Sequence, residues 1–376
     1  MFAFELSEEL ALLQATARSF ARELLLPKLR AAETARAVDA EVRAAYAQIG
    51  LAGLELPAAL GGAGCGALAR VLVNEELGAA DAGAALALDG LGLALYPLLE
   101  LGGEDALRAH AASLLTNADA RALLLIGKDA SLQLNGERIS LRAAYVPAER
   151  AELLVVLTDD QALVVRDGLE LEPVRGAGLR AAGAAALSLR DAPIAARLAQ
   201  PGDLDAPARA LARARLYLAS LLLGVLRHAS DYARAYAQER EAFGRKIAHH
   251  QALAFLLVDM HAAVEGARLL LHDAAFRADQ GAPFAHAAAS ALVEAVEVAR
   301  WVGPAAVQVL GGHGFMQDHP VEKLMREARA LGLLLGGVDA AREDAGRLLC
   351  AGSPPVALSC AQSGLDGGLD GGKESA

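Results

Sequence analysis

The chain has 376 residues, enough for two or three domains around a sizeable core. Hydrophobic residues make up 55% and aromatics only 4%, with alanine and leucine dominant, a mix that favours closely packed helices. A net charge of -11 argues against a nucleic-acid partner, because phosphate binding needs a basic face.

Residues 1–120 read as helical. Ser7 followed by Glu8 and Glu9 predicts an N-cap with acidic first-turn residues. Leu10, Leu13, Ala17, Phe20 and Leu24 then recur at spacings of three and four, on one helix face. Leu60-Gly-Gly-Ala-Gly64 breaks the pattern as a loop, and a second amphipathic stretch runs from Ala67 to Leu77. The most apolar window, Ala82 to Leu99, carries Asp89 and Pro97 and falls short of the roughly 20 apolar residues that cross a bilayer. It reads as buried helices around a turn, with no membrane span.

Residues 121–204 read as a small β domain. Leu123–Ile126, Leu153–Leu157, Ala162–Val165 and Ala185–Leu189 are short apolar runs. Asn135-Gly136 between Leu132–Leu134 and Arg138–Leu141 predicts a hairpin with a type I′ turn. Residues 205–350 return to long helices, at Ala208–Glu239 with Gly224 as its one breaker, His250–Asp279 and His286–Val302. Gly311, Gly312 and Gly314 form a turn in which no Cβ keeps a ligand from the backbone, and a helix starting at Pro320 follows. The segment 351–376 is rich in Gly, Asp and Ser from Gln362 onward and is expected to be disordered. The fold class is therefore mainly α with a small β middle domain.

Cys65, Cys350 and Cys360 are few, which fits a reduced cytoplasm, and the N-terminus lacks the basic and apolar regions of a signal peptide. No cysteine or histidine grouping has metal-ligand spacing, so no metal site is predicted; His249-His250 and His313…His319 lack acidic or cysteine companions. His313 reads as a solvent-facing turn residue.

Two motifs carry a resemblance. Gln308-Val-Leu-Gly-Gly-His-Gly-Phe-Met-Gln-Asp-His-Pro-Val-Glu-Lys-Leu-Met-Arg-Glu-Ala-Arg329 resembles the C-terminal signature of the acyl-CoA dehydrogenase family. Arg240-Glu-Ala-Phe243-Gly244 with Gln251 is similar to the family's Arg-x-x-Phe-Gly turn and following Gln, with Gly244 read as the left-handed residue just past a helix end. The helix–β–helix order, over about residues 5–350, matches the family's layout. The resemblance implies an N-terminal helical domain, a β-barrel-like middle domain with some strands lost, and a C-terminal four-helix bundle that oligomerises. It also implies that Arg240, Phe243, Gln251, Gln308, Gly311 and Gly312 reach the ADP half of an FAD held mainly by a neighbouring subunit.

The other half of the family's flavin site is altered. Where the family has a Thr-Glu-Pro loop, this chain has Ile126-Gly-Lys-Asp-Ala130. Where it has Trp-Ile-Thr, this chain has Ala144-Tyr145-Val146. The family's catalytic Glu lies in a Tyr-Glu-Gly-Thr run, which here reads Leu334-Leu335-Gly336-Gly337; its alternative position is Ala214. Neither holds the carboxylate that removes the proton α to a thioester, a role worth about 10²–10⁴-fold in rate. The resemblance then implies a base-less subunit that completes a partner's FAD site for α,β-desaturation of an acyl-CoA. The partner is an acyl-CoA dehydrogenase homologue, or a second copy joined through the C-terminal bundle. The alternatives are a self-contained flavoenzyme with an unusual base, Asp339 being the candidate, or a non-catalytic scaffold.

Overall fold

The computed structural model describes residues 5–115, 117 and 119–351, so the tail expected to be disordered lies outside the described residues from 352 on. Ser7 accepts the Leu10 amide (3.3 Å) and starts α1 (Glu8–Phe20). The predicted face is the buried one: Ala17 and Phe20 enter the core, with Leu10, Leu13 and Leu24 packed against it. Short helices α2 (Leu29–Ala35) and α3 (Ala40–Gln48) follow. Next come α4 (Ala67–Leu88), α5 (Leu95–His110) and the single turn α6 (Ala112–Leu115). The apolar window spans the end of α4, a turn and the start of α5, which are bent by 66°. Among the described residues no single helix is long and apolar enough to cross a membrane.

The middle domain holds two four-stranded sheets. One has the order β1 (Ala122–Ile126), β4 (Leu153–Leu157), β5 (Ala162–Val165), β8 (Ala196–Leu198). The other has the order β2 (Ser131–Asn135), β3 (Arg138–Val146), β7 (Ala185–Pro193), β6 (Glu170–Pro173). Successive side chains on a strand point to opposite faces, and both faces of the first sheet are buried. Leu154, Val156, Leu163 and Val165 meet the second sheet, while Leu153, Val155, Leu157, Ala162 and Val164 join the helical core. The alternation thus seats the β domain on the helices. β6 and β8, which the apolar pattern misses, are polar or very short edge strands, where a residue such as Pro173 is tolerated.

The predicted hairpin forms, with a different turn. Asn135 pairs with Arg138, so the central residues are Gly136 and Glu137, and only Gly136 has positive φ (+59°). That is the pattern of a glycine-first type II′ turn, because Asn135 is retained in the ladder.

The C-terminal region comprises α7 (Ala206–Glu239), α8 (Gln251–Asp279), α9 (Ala285–Leu310), α10 (Val321–Leu331) and α11 (Gly337–Cys350). α7, α8, α9 and α11 form the bundle, and α10 packs across α7 and α9. Helix α9 continues eight residues past the predicted end at Val302, through Pro304. Gly224, the apparent breaker in α7, does not interrupt it. It allows α7 to touch α4: a Cβ on Gly224 would lie 2.2 Å from the Glu75 carbonyl oxygen, and one on Gly78 2.4 Å from that of Leu221.

Buried charge also ties the domains together. Lys323 on α10 is 3.3 Å from Asp81, at a kink within α4, and bonds Glu327. Burial pushes the Glu327 carboxyl up to about 7, against the opposing pull of Lys323.

Two outcomes test this packing. Gly224→Ala should destabilise the fold by about 1–3 kcal/mol, the usual range for overpacking, because it meets backbone. Gly346→Ala on exposed α11, with open space at the Cβ position, should be neutral or stabilising by up to ~1 kcal/mol; denaturant midpoints of the two variants decide. Secondly, a carboxyl raised in the folded state binds a proton on folding. Its contribution is therefore lost as pH rises from the unfolded value of about 4.3 through about 7. Glu327→Gln should flatten the fall in melting temperature across that window.

Candidate functional site: an inner cavity and an outer turn

The three regions enclose a cavity of about 970 Å³, a volume typical of small-molecule sites. Its walls are β1, the end of β3 (Ala143–Val146), the 175–178 loop, and parts of α9 and α10. Leu333–Gly336 completes the lining. Asp89, just past α4, contributes a carboxylate. It accepts the Gly92 amide (2.9 Å) and the Tyr217 hydroxyl (3.2 Å), and lies 3.3 Å from Arg70. Arg70 in turn bonds Glu55 at 3.0 Å. Tyr145 also lines the cavity, and burial pushes its phenol up to about 12.

Leu335 is among the lining residues and is buried. It is left-handed (φ +54°), as are Gly336 (+77°) and Gly337 (+67°) after it. The left-handed region costs a residue with a Cβ about 1–2 kcal/mol, so the turn holds Leu335 in a strained conformation with its side chain among the cavity walls. Ala144 and Val146 also line the cavity, as does Ile126. Ala214 is buried on α7 and is not among the lining residues. Its neighbours Arg213 and Arg215 are engaged by Glu100 and Asp344. Asp339 sits on α11 with its side chain 93% exposed, 4.0 Å from Arg342, and is also absent from the lining.

The six residues assigned to an ADP moiety lie elsewhere, outside the cavity lining. Helix α7 ends at Glu239, and Arg240 leaves it in an extended conformation. A two-residue hairpin follows, between β9 (Glu241–Ala242) and β10 (Arg245–Lys246). Both of its central residues, Phe243 (φ +53°) and Gly244 (φ +78°), are left-handed. Gly244 therefore serves a type I′ turn rather than a helix end, because the chain reverses before it reaches the glycine. The turn holds the Phe243 ring 96% exposed. Arg240 and Gln251, the first residue of α8, are exposed, and the Arg240 guanidinium has no ion pair among the described residues.

The glycine turn after α9 is tied to α7. Tyr236 bonds His313 (2.6 Å) and Tyr232 bonds His319 (2.8 Å), and the two imidazoles stack 5.5 Å apart. His313 is thus half-buried and bonded rather than solvent-facing, because the end of α7 presents a phenol to it. Gln308, Gly311 and Gly312 are exposed. A Cβ on either glycine would meet nothing within 4 Å, and Gly311 has φ +59°. Gly314 differs: a Cβ there would lie 2.5 Å from the Val307 carbonyl oxygen, so it serves packing against α9 rather than a ligand. The two motifs are thereby held on adjacent elements.

Sequence reasoning missed Asp89, Arg121 and Tyr145 as cavity residues. Each is an isolated side chain with no partner at a telling spacing, so only the packing of the three regions brings them together. Among the described residues no group of His, Cys, Asp or Glu has the geometry of a metal site.

Comparison with known proteins agrees with this architecture. Residues 7–117 match the acyl-CoA dehydrogenase N-terminal domain, and residues 204–349 the acyl-CoA dehydrogenase C-terminal domain. The chain is 31% identical over 365 residues to the mitochondrial short-chain specific acyl-CoA dehydrogenase of Bos taurus, covering 86% of each. A shorter stretch of 115 residues is 42% identical to the short-chain specific acyl-CoA dehydrogenase of Clostridium acetobutylicum, covering 31% of this chain and 30% of that one. Among solved structures, butyryl-CoA dehydrogenase from Megasphaera elsdenii superposes with a TM-score of 0.82 at 23% identity, over 93% of this chain and 100% of that one. On the extent of these matches, this chain is a member of the acyl-CoA dehydrogenase family.

Proposed function

We propose that the protein is a base-less subunit of an acyl-CoA-desaturating enzyme, supplying the ADP-side contacts of an FAD held mainly by a partner. The single observation that carries this reading is the split between the two regions. The outer turn keeps a free Arg240, an exposed Phe243, Gln251, Gln308 and the open Gly311 and Gly312. The cavity has Leu335 at the position of the family's base, and Ala144 and Val146 where side-chain contacts to the flavin ring are expected.

The outer residues fit an ADP group. A free guanidinium forms bidentate bonds to phosphate, Phe243 offers an aromatic face, and the Gln251 amide both donates and accepts. Bound FAD supplies the hydride acceptor of the desaturation. This chain's part is to bind and orient that cofactor across the interface, while the carboxylate that takes the α-proton comes from the partner.

An exposed apolar face on α8 supports the association: Phe255, Val258 and Leu269 are each about 60% exposed. The partner is an acyl-CoA dehydrogenase homologue in the leading reading, or a second copy. Nothing in the position of Asp339 favours the self-contained flavoenzyme. A cytoplasmic setting is proposed on the three cysteines without metal spacing.

The lone chain should purify with little or no FAD and no desaturating activity, and should restore both when mixed with its partner. Arg240→Ala should weaken FAD binding by the pair about ten- to a hundred-fold, since a charged hydrogen bond is worth about 1.5–3 kcal/mol. Flavin absorbance and turnover of the lone chain, the pair and the variant pair are the measurements. A yellow, active lone chain would overturn the half-site reading, and a colourless chain that no homologue activates would favour a scaffold.

A further inference from the structure

Arg121 lies immediately before β1 and lines the cavity. Its backbone amide is taken by the Glu152 carboxylate (2.5 Å). Its guanidinium has no hydrogen bond or ion pair among the described residues, and its Nε is buried without a partner. A buried donor left unmade is costly, and a buried charge more so. Asp89 and Glu152 act on the guanidinium electrostatically without forming an ion pair with it. Both oxygens of Asp89 are engaged, by Gly92 on one side and by Tyr217 and Arg70 on the other, and Arg70 already matches its charge. Burial lowers the Arg121 pKa from its ordinary value, with Tyr217 and Asp89 acting the other way; a guanidinium nonetheless stays protonated in a protein.

The cavity is graded in depth. Arg175 and Arg329 are exposed at its rim and have no ion pairs among the described residues, whereas Arg121 is half-buried among apolar walls. A ligand whose anionic end lies near the rim therefore meets a second, unpartnered cation only after its apolar part has entered.

We propose that Arg121 is a specificity residue that holds a carboxylate at the far end of an acyl thioester, so that the cavity takes ω-carboxyacyl ligands. The two planar oxygens of a carboxylate match the guanidinium fork and satisfy the donors this structure leaves without partners. A terminal methyl leaves them unmade. The inference rests on the proposed acyl-CoA chemistry and takes this chain's own cavity, base-less though it is, as an acyl-thioester site.

The probes are adipyl-CoA and hexanoyl-CoA, which share a chain length and differ in the terminal group. Binding is measured by calorimetry on the full chain. The expected result is adipyl-CoA tighter by about ten- to a hundred-fold, the range of a charged hydrogen bond. Arg121→Gln should abolish that preference by weakening adipyl-CoA more than hexanoyl-CoA, and Arg121→Lys should retain part of it. Equal binding of the two thioesters by the unaltered chain, or an equal loss of both in Arg121→Gln, overturns the specificity role. If neither thioester binds, the acyl-thioester reading of the cavity falls, and this inference with it. The flavin measurements on the pair are read separately from either result.

Discussion

The close crossing of α4 and α7 is the contact on which the remaining architecture depends. Gly78 and Gly224 leave no Cβ between the helices, so backbone meets backbone. At that separation Arg227 on α7 reaches Glu75 and Glu76 on α4, and Tyr217 reaches Asp89 beyond the end of α4. The N-terminal helices and the C-terminal bundle consequently share one core rather than meeting as separate bodies. A single extra methyl group at either glycine would press directly on a carbonyl oxygen, which close-packed interiors accommodate poorly.

The middle domain inherits its position from this helical frame. The first sheet presents one set of residues to its own domain and the alternate set to the helices, so its tilt is fixed by two cores at once. The cavity is the space left where β1, the end of β3, α9 and α10 cannot all meet. Its rigidity comes from the surrounding packing and from buried charge: Lys323 links α10 to Asp81 within α4, and Arg326 bonds Glu33 in the N-terminal region. Breaking a buried pair by removing one partner leaves the other charge uncompensated, which is why such links fix geometry more than they add stability.

Backbone strain at the cavity falls on the turn after α10. Leu335, Gly336 and Gly337 are three left-handed residues in succession, and only the first carries a side chain. The surroundings keep the loop in that shape, with the apolar Leu335 side chain among the cavity walls. Strain of this kind persists where the surrounding structure over-determines it. The outer hairpin shows the same feature at Phe243, whose left-handed backbone holds an aromatic ring in solvent.

Local patterns determined much of this protein. The Ser7 cap, the face of α1, the apolar strands β1, β4 and β5, the long helices and both motifs are legible because each depends on residues within a few positions of one another. The β6 and β8 edges, the turn types at Gly136 and Gly244, and the extension of α9 through Pro304 were less legible, since neighbouring strands and helices override weak local preference. Tertiary structure alone decided the rest. Gly66 offers no side chain to start α4, and the cap comes from Asp279, which accepts the Ala67 (2.6 Å) and Leu68 (3.0 Å) amides from the far end of α8. Asp89 and Arg121 face one cavity only because an N-terminal helix and a middle-domain strand are packed against the same bundle. A sequence records which side chains are available, whereas burial and the pairing of charges are properties of distances that only the folded chain sets.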